Sequence, residues 1–135
     1  MANTIVLGYP QPQDGKIRVV FDHYGPLSYA NIGGSSGAGD VINATDLAMG
    51  GFDVVGVGFG AYIEGYTVSG NYVVKMFSVA TAGTPSDNYP PGSAFKSFIL
   101  QWFTVTSTPF SAISTEVANA TNLSAEYLRL DATCV

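Results

Sequence analysis

Residues 97–108, SFILQWFTVTST, hold the only tryptophan of the chain and its densest run of β-favouring residues. In an extended conformation successive side chains point to opposite faces, so Phe98, Leu100, Trp102, Thr104 and Thr106 share one face and Ile99, Gln101, Phe103 and Val105 the other. Both faces are largely apolar. An antiparallel strand with one wet side alternates apolar with polar residues, so this one is expected to be central, with cover on its second face as well. The cover is either more of this chain or another chain.

Working outward, every other strand signal is shorter. Asp14-Gly15 is a turn pair, and residues 16–23, KIRVVFDH, alternate Ile17, Val19 and Phe21 against Lys16, Arg18, Val20 and Asp22. Gly25-Pro26 ends that strand. Residues 31–40, NIGGSSGAGD, read as a flexible loop. Residues 52–59, FDVVGVGF, form a β run loosened by Gly56 and Gly58. Residues 71–80, NYVVKMFSVA, are entered through the turn at Ser69-Gly70-Asn71, making 66–80 a candidate hairpin in which Lys75 points out or snorkels. Residues 82–93, with three prolines and two glycines, form a loop. Residues 127–132, YLRLDA, alternate Tyr127, Arg129 and Asp131 with Leu128, Leu130 and Ala132 as a terminal strand. No segment sustains an apolar repeat near 3.6, so helix is limited to one or two short turns, around 46–49 or 123–127.

The start reads differently. Ile5, Val6 and Leu7 precede Tyr9-Pro10-Gln11-Pro12, where two prolines forbid helix and disfavour a central strand. Residues 1–14 are therefore expected as an extended N-terminal arm, lying along its own domain or reaching onto a neighbour, and residues 15–135 as one all-β domain, an antiparallel β-sandwich or jelly roll.

One echo runs through the chain. VINATDL at 41–47 recurs as VANATNL at 117–123, with five of seven positions identical, and each copy precedes a short β run. Both are expected to be corners carrying the chain from one sheet to the next, with Asn and Thr oxygens satisfying backbone amides and leucine plugging the core. Both spell N-x-T, and Asn122-Leu123-Ser124 adds a third glycosylation pattern; with no secretion signal expected, these carry no weight.

Composition narrows the function. Charged residues make up 11% of the 135, against about 25% in an ordinary soluble domain. Such a chain either buries surface in an assembly or coats a compact β-protein with Ser, Thr, Asn and Gly. Net charge is −5, and the five basic residues, Lys16, Arg18, Lys75, Lys96 and Arg129, are scattered, which argues against nucleic-acid binding. Cys134 is the single cysteine, so no internal disulfide framework exists. The N-terminus has no basic region followed by a long apolar run, and the expectation is a soluble chain with neither leader nor membrane span.

Chemistry-bearing patterns are sparse. His23 is the only histidine, and no spacing of His, Cys and carboxylates resembles a metal site. There is no G-x-S-x-G elbow, and NIGGSSGAGD lacks the Lys-Ser/Thr ending of a phosphate loop. Asp22, Asp40, Asp46 and Asp53 offer carboxylate pairs on paper, each with a plainer role as turn former or strand-end group. An enzyme would need a pocket around His23. The expectation is a non-enzymatic protein with no catalytic residues, cofactor or metal.

The segments FDHYGPLSY, DVINATDLAMGGFDVVGVGF, FILQWFTVTS and STEVANATNLSAEYLRL resemble the small virion proteins of tailed bacteriophages, of the capsid decoration or cement type. The resemblance runs from about Val20 to the C-terminus. It implies a β-sandwich or jelly roll without cofactor or turnover, made in the host cytoplasm and carried on the capsid surface of the virion. Its implied partners are the major capsid protein and further copies of itself, as a dimer or trimer, with no nucleic acid and no membrane. On that reading the arm and an aromatic loop supply the contacts, with Ile5, Val6, Leu7, Tyr9, Pro10, Tyr89 and Pro90 as interface candidates. The alternative is a carbohydrate-binding or tail-associated β-sandwich of the virion, resting on exposed Tyr residues or Trp102; a buried Trp102 counts against it.

Overall fold

A computed structural model of the chain describes residues 4–35, 39–47, 54–59, 65–79, 97–105 and 113–135. The elements in order are β1 (Thr4–Gln13), β2 (Lys16–Tyr24), a helical turn α1 (Ile32–Ser35), β3 (Asp40–Asn43), a 3-10 turn (Ala44–Leu47), β4 (Val54–Phe59), β5 (Tyr72–Val79), β6 (Ser97–Val105), β7 (Ile113–Glu116) and β8 (Tyr127–Cys134). One sheet runs β1-β2-β8-β4 and the other β3-β6-β5, with β7 also on β6. All pairings are antiparallel.

The two sheets share one core, in which Val19 and Phe21 of β2 and Leu128, Leu130 and Ala132 of β8 meet Phe98, Leu100 and Trp102 of β6, Val74 of β5 and Ile42 of β3. The chain is an all-β sandwich. Alternation along β8 is complete, from Leu128 to Cys134, because every second side chain faces the other sheet.

The sequence places β6 at the centre, and it is central: β5 lines one edge over its length while β3 and β7 lie end to end along the other. Its second face is covered in part: Ile99 is fully buried although it points away from the core, while Gln101, Phe103 and Val105 on that face are half-buried. Part of the cover is this same chain. A Cβ built on Gly39 would sit 2.8 Å from Ile99 Cγ2 and 2.9 Å from Ile32 Cδ1, so α1 and the turn into β3 lie against that face.

Of the two courses open to the N-terminal arm, it takes the one along its own domain. Thr4–Gln13 is the edge strand β1, folded back on β2 through a two-residue turn in which Asp14 and Gly15 both take positive φ, 51° and 76°. Its prolines are compatible with a strand because an edge leaves alternate N–H groups unpaired. The ladder breaks between Leu7 and Gln11, where Gly8 (φ 67°), Tyr9 and Pro10 stand opposite Val19 alone.

NIGGSSGAGD, expected as a loop, contains the helical turn α1 and ends in β3, a strand not anticipated; nor was β7. The 3-10 turn begins two residues before the helical turn expected at 46–49. No helix lies at 123–127, where the backbone only turns. The loop at 82–93 lies outside the described residues.

Both copies of the echo do carry the chain between sheets, from β3 to β4 and from β7 to β8. Leu47 and Leu123 are each fully buried. In the second copy asparagine oxygens satisfy backbone amides as expected, Asn119 Oδ1 accepting from the Asn31 amide at 3.3 Å and Asn122 Oδ1 from the Ser124 amide at 3.0 Å, whereas in the first copy Asp46 Oδ2 accepts from the Asn43 amide at 2.8 Å. Thr121 instead donates to the Ala118 carbonyl. The second corner also zips against residues 25–31, with Leu123 N–H donating to Pro26 O and Tyr29 N–H to Thr121 O. Gly25 is required there, because a Cβ would come within 2.6 Å of the Leu123 carbonyl oxygen.

Candidate functional site

The interface residues read from the sequence divide along β1. Ile5 is 51% and Tyr9 92% exposed, the latter lifted out by the bulge, and Pro10 is exposed beside it. Val6 turns inward against the core, and Leu7 is half-buried on the outer face opposite Val20. Tyr89 and Pro90 lie outside the described residues.

On the same outer face, register fixes the charges. Asp22 lies directly opposite Arg129, and the guanidinium takes both carboxylate oxygens at 2.8 and 3.1 Å. Arg18 reaches Asp131 at 2.8 Å. Tyr24 and Tyr127 stack on one another with centroids 4.9 Å apart, each covering the other's ring face. The cavity lined by Asp14, Lys16, Arg18 and Thr133, about 270 Å³, is at the turn end of β2.

At the opposite end of β2, behind β1, lies a feature the sequence did not disclose. His23 is buried with Nδ1 2.8 Å from Thr4 Oγ1 and Nε2 2.6 Å from Asp40 Oδ2. The same Asp40 oxygen accepts Trp102 Nε1–H at 3.0 Å. The chain Thr4–His23–Asp40–Trp102 thus joins the edge strand, β2, β3 and β6 and crosses from one sheet to the other. It is complete: among the described residues no buried side-chain nitrogen or oxygen lacks a partner. A low-dielectric interior strengthens such bonds and penalises any gap in them.

Hydroxyl, imidazole and carboxylate are the three groups of a nucleophilic triad. Here they bracket the two sheets together: His23 and Asp40 are 2% and 5% exposed, and their nitrogen and oxygen bonds are taken up within the fold. Among the described residues, no three of His, Cys, Asp and Glu converge to hold a metal ion.

A second hub seals the place where β7 stops and β3 begins along β6. Trp102 falls in that gap; its carbonyl accepts the Val117 amide, and its own N–H donates to the Tyr29 hydroxyl at 3.1 Å. Tyr29 in turn donates to Glu116 Oε1 at 3.0 Å, and the same carboxylate accepts the amides of Ile32 at 2.6 Å and Gly33 at 3.0 Å. Burial pushes the Tyr29 hydroxyl well above the usual phenol range. Partial burial would also raise the Glu116 carboxyl, but hydrogen bonds from Ile32, Gly33, Tyr29 and Gln101 outweigh it and hold the group below the usual carboxylate range.

Two outcomes follow for this hub. Tyr29→Phe leaves the buried Trp102 amide without its acceptor, and urea denaturation should show a loss of about 1–3 kcal/mol. Glu116 has a lowered folded-state pKa, so its stabilisation is full above the unfolded carboxylate value and drains away as pH falls through the folded one. The stability gap between wild type and Glu116→Gln should therefore narrow between about pH 6 and about pH 3. A gap that stays constant or widens on acidification contradicts this sign.

Among the described residues no helix is long and apolar enough to cross a membrane. Set beside known proteins, the chain matches no protein family, no curated protein and no solved structure.

Proposed function

We propose that the protein is a non-enzymatic decoration, or cement, protein of a tailed-phage capsid, binding the outer surface of the assembled shell and stabilising contacts between major capsid subunits. The observation that carries the reading is Tyr9, 92% exposed on an edge strand with Ile5 at 51%, on a chain with only 11% charged residues. A large aromatic held out by a bulge is a natural anchor for a neighbouring protein. Trp102 is fully buried within this chain and creates no demand for a partner.

Co-sedimentation with assembled shells tests the proposal. The wild-type chain should bind, and Ile5→Asp with Tyr9→Ala should weaken binding by about tenfold or more at unchanged thermal stability. Failure of the wild-type chain to bind any shell removes the reading. The carbohydrate alternative loses its strongest residue, since Trp102 is fully buried. Glycan binding that disappears with Tyr9→Ala, in the absence of shell binding, would restore it.

A further inference from the structure

We infer that β1 opens and closes as a unit on an otherwise intact sandwich, with the Thr4–His23 hydrogen bond as its latch. This conformational device stands apart from the proposed function and does not depend on it.

Three observations carry it. First, β1 has one neighbour and an interrupted ladder, whereas β2 and β8 pair over eight consecutive positions without a break. Gly8, Tyr9 and Pro10 sit in the interruption, and Pro10 and Pro12 have no N–H to contribute. Second, β1 has little apolar anchorage. Val6 packs against the core, while Ile5, Tyr9, Pro10, Gln11 and Pro12 are exposed. Segments with few buried apolar contacts and solvent-facing ladders occupy the low end of the local-stability range. Third, the anchorage that exists is at the end farthest from the hinge. The exposed Asp14-Gly15 turn is the pivot, and Thr4, ten residues before it, is nearly buried against His23.

The catch on the sandwich side is rigid. His23 Nε2 is held by Asp40, whose oxygen is also held by Trp102, so the imidazole presents Nδ1 at a set position whether or not Thr4 is there. The hydroxyl of Thr4 can either donate or accept, so it suits either protonation state of the ring. Opening withdraws Val6 from the core, separates β1 from the 3-10 turn and uncovers His23, while β2 keeps its pairing with β8 and the turn residues already lie at the surface.

Native-state hydrogen exchange on the intact chain tests this. Amides of residues 4–7, and the β2 amides bonded to them, should exchange far faster than those shared by β2 and β8. Thr4→Val keeps the shape and removes the bond; it should accelerate the β1 set by about two- to tenfold and leave the β8 set unchanged. A cross-link tests the strand movement itself. Leu7 and Val20 are opposite one another on the outer face, at the separation antiparallel partners share and a disulfide requires. The oxidised Leu7→Cys/Val20→Cys variant should slow the β1 set, and reduction should restore it; Cys134 is buried and does not compete. Equal acceleration of the β1 and β8 sets in Thr4→Val, no acceleration of either, or a cross-link without effect on β1 would each overturn the inference.

Discussion

Replacing Asp40 with alanine should cost about 3–5 kcal/mol of folding stability, the largest effect expected from removing a single polar group in this protein. One carboxylate oxygen accepts both His23 Nε2–H and Trp102 Nε1–H, so its removal leaves two buried donors stranded between the sheets. Equilibrium denaturation should show the loss, and the emission of Trp102, the only tryptophan, should report the changed surroundings of the indole. Much of the cost is the penalty of stranding the partners and not the worth of the bonds. Replacing His23 and Asp40 together by leucine removes the stranded imidazole but leaves Trp102 Nε1–H and the Thr4 hydroxyl unpaired, so its loss should be smaller than the sum of the His23→Leu and Asp40→Leu losses. A double variant as unstable as the sum of its two singles would show that the bracket has no internal coupling.

Trp102→Ala should lose a similar amount, about 3–5 kcal/mol, for a different reason. Trp102 is fully buried in the shared core, with its ring edge-on to Tyr72 at a centroid distance of 6.1 Å. Truncation removes that area and leaves a cavity the two sheets close only in part. Circular dichroism is the measurement to use, since the variant carries no tryptophan. Trp102→Phe separates the contributions: most of the ring volume stays and only the bond to Asp40 goes, so its loss should be clearly smaller. Equal losses for the two would mean that the hydrogen bond, and not volume, dominates at this position.

Strand identity was legible wherever burial alternates along a single segment. In β2 and β8 one apolar face must be hidden and the period of two reports it directly, whereas β5 and β6 are apparent as runs of β-favouring residues. β3 and β7 were missed. Each is four residues long, and each is specified by an open stretch of the β6 edge more than by its own residues. The helical turn in NIGGSSGAGD was missed for the same reason: Glu116, more than eighty residues later, supplies the acceptor that holds its first amides. The interface candidates of β1 stand out in the sequence as an apolar group, but the outward placing of Tyr9 and Pro10 depends on the bulge at Gly8.

By itself the sequence determined the β class, the centrality of 97–105, the turn at Asp14-Gly15 and the two corners that pass between sheets, since these follow from local periodicity, backbone restriction and side-chain volume. Only the tertiary structure decided that the first strand folds home, that Ile99 on the second face of β6 is covered by α1 and the turn into β3, and that Thr4, His23, Asp40 and Trp102 meet. The physical reason is one of range. A hydrophobic face or a turn residue acts over a few neighbours, whereas a hydrogen bond between groups 17 or 62 residues apart exists only once two sheets have closed on each other.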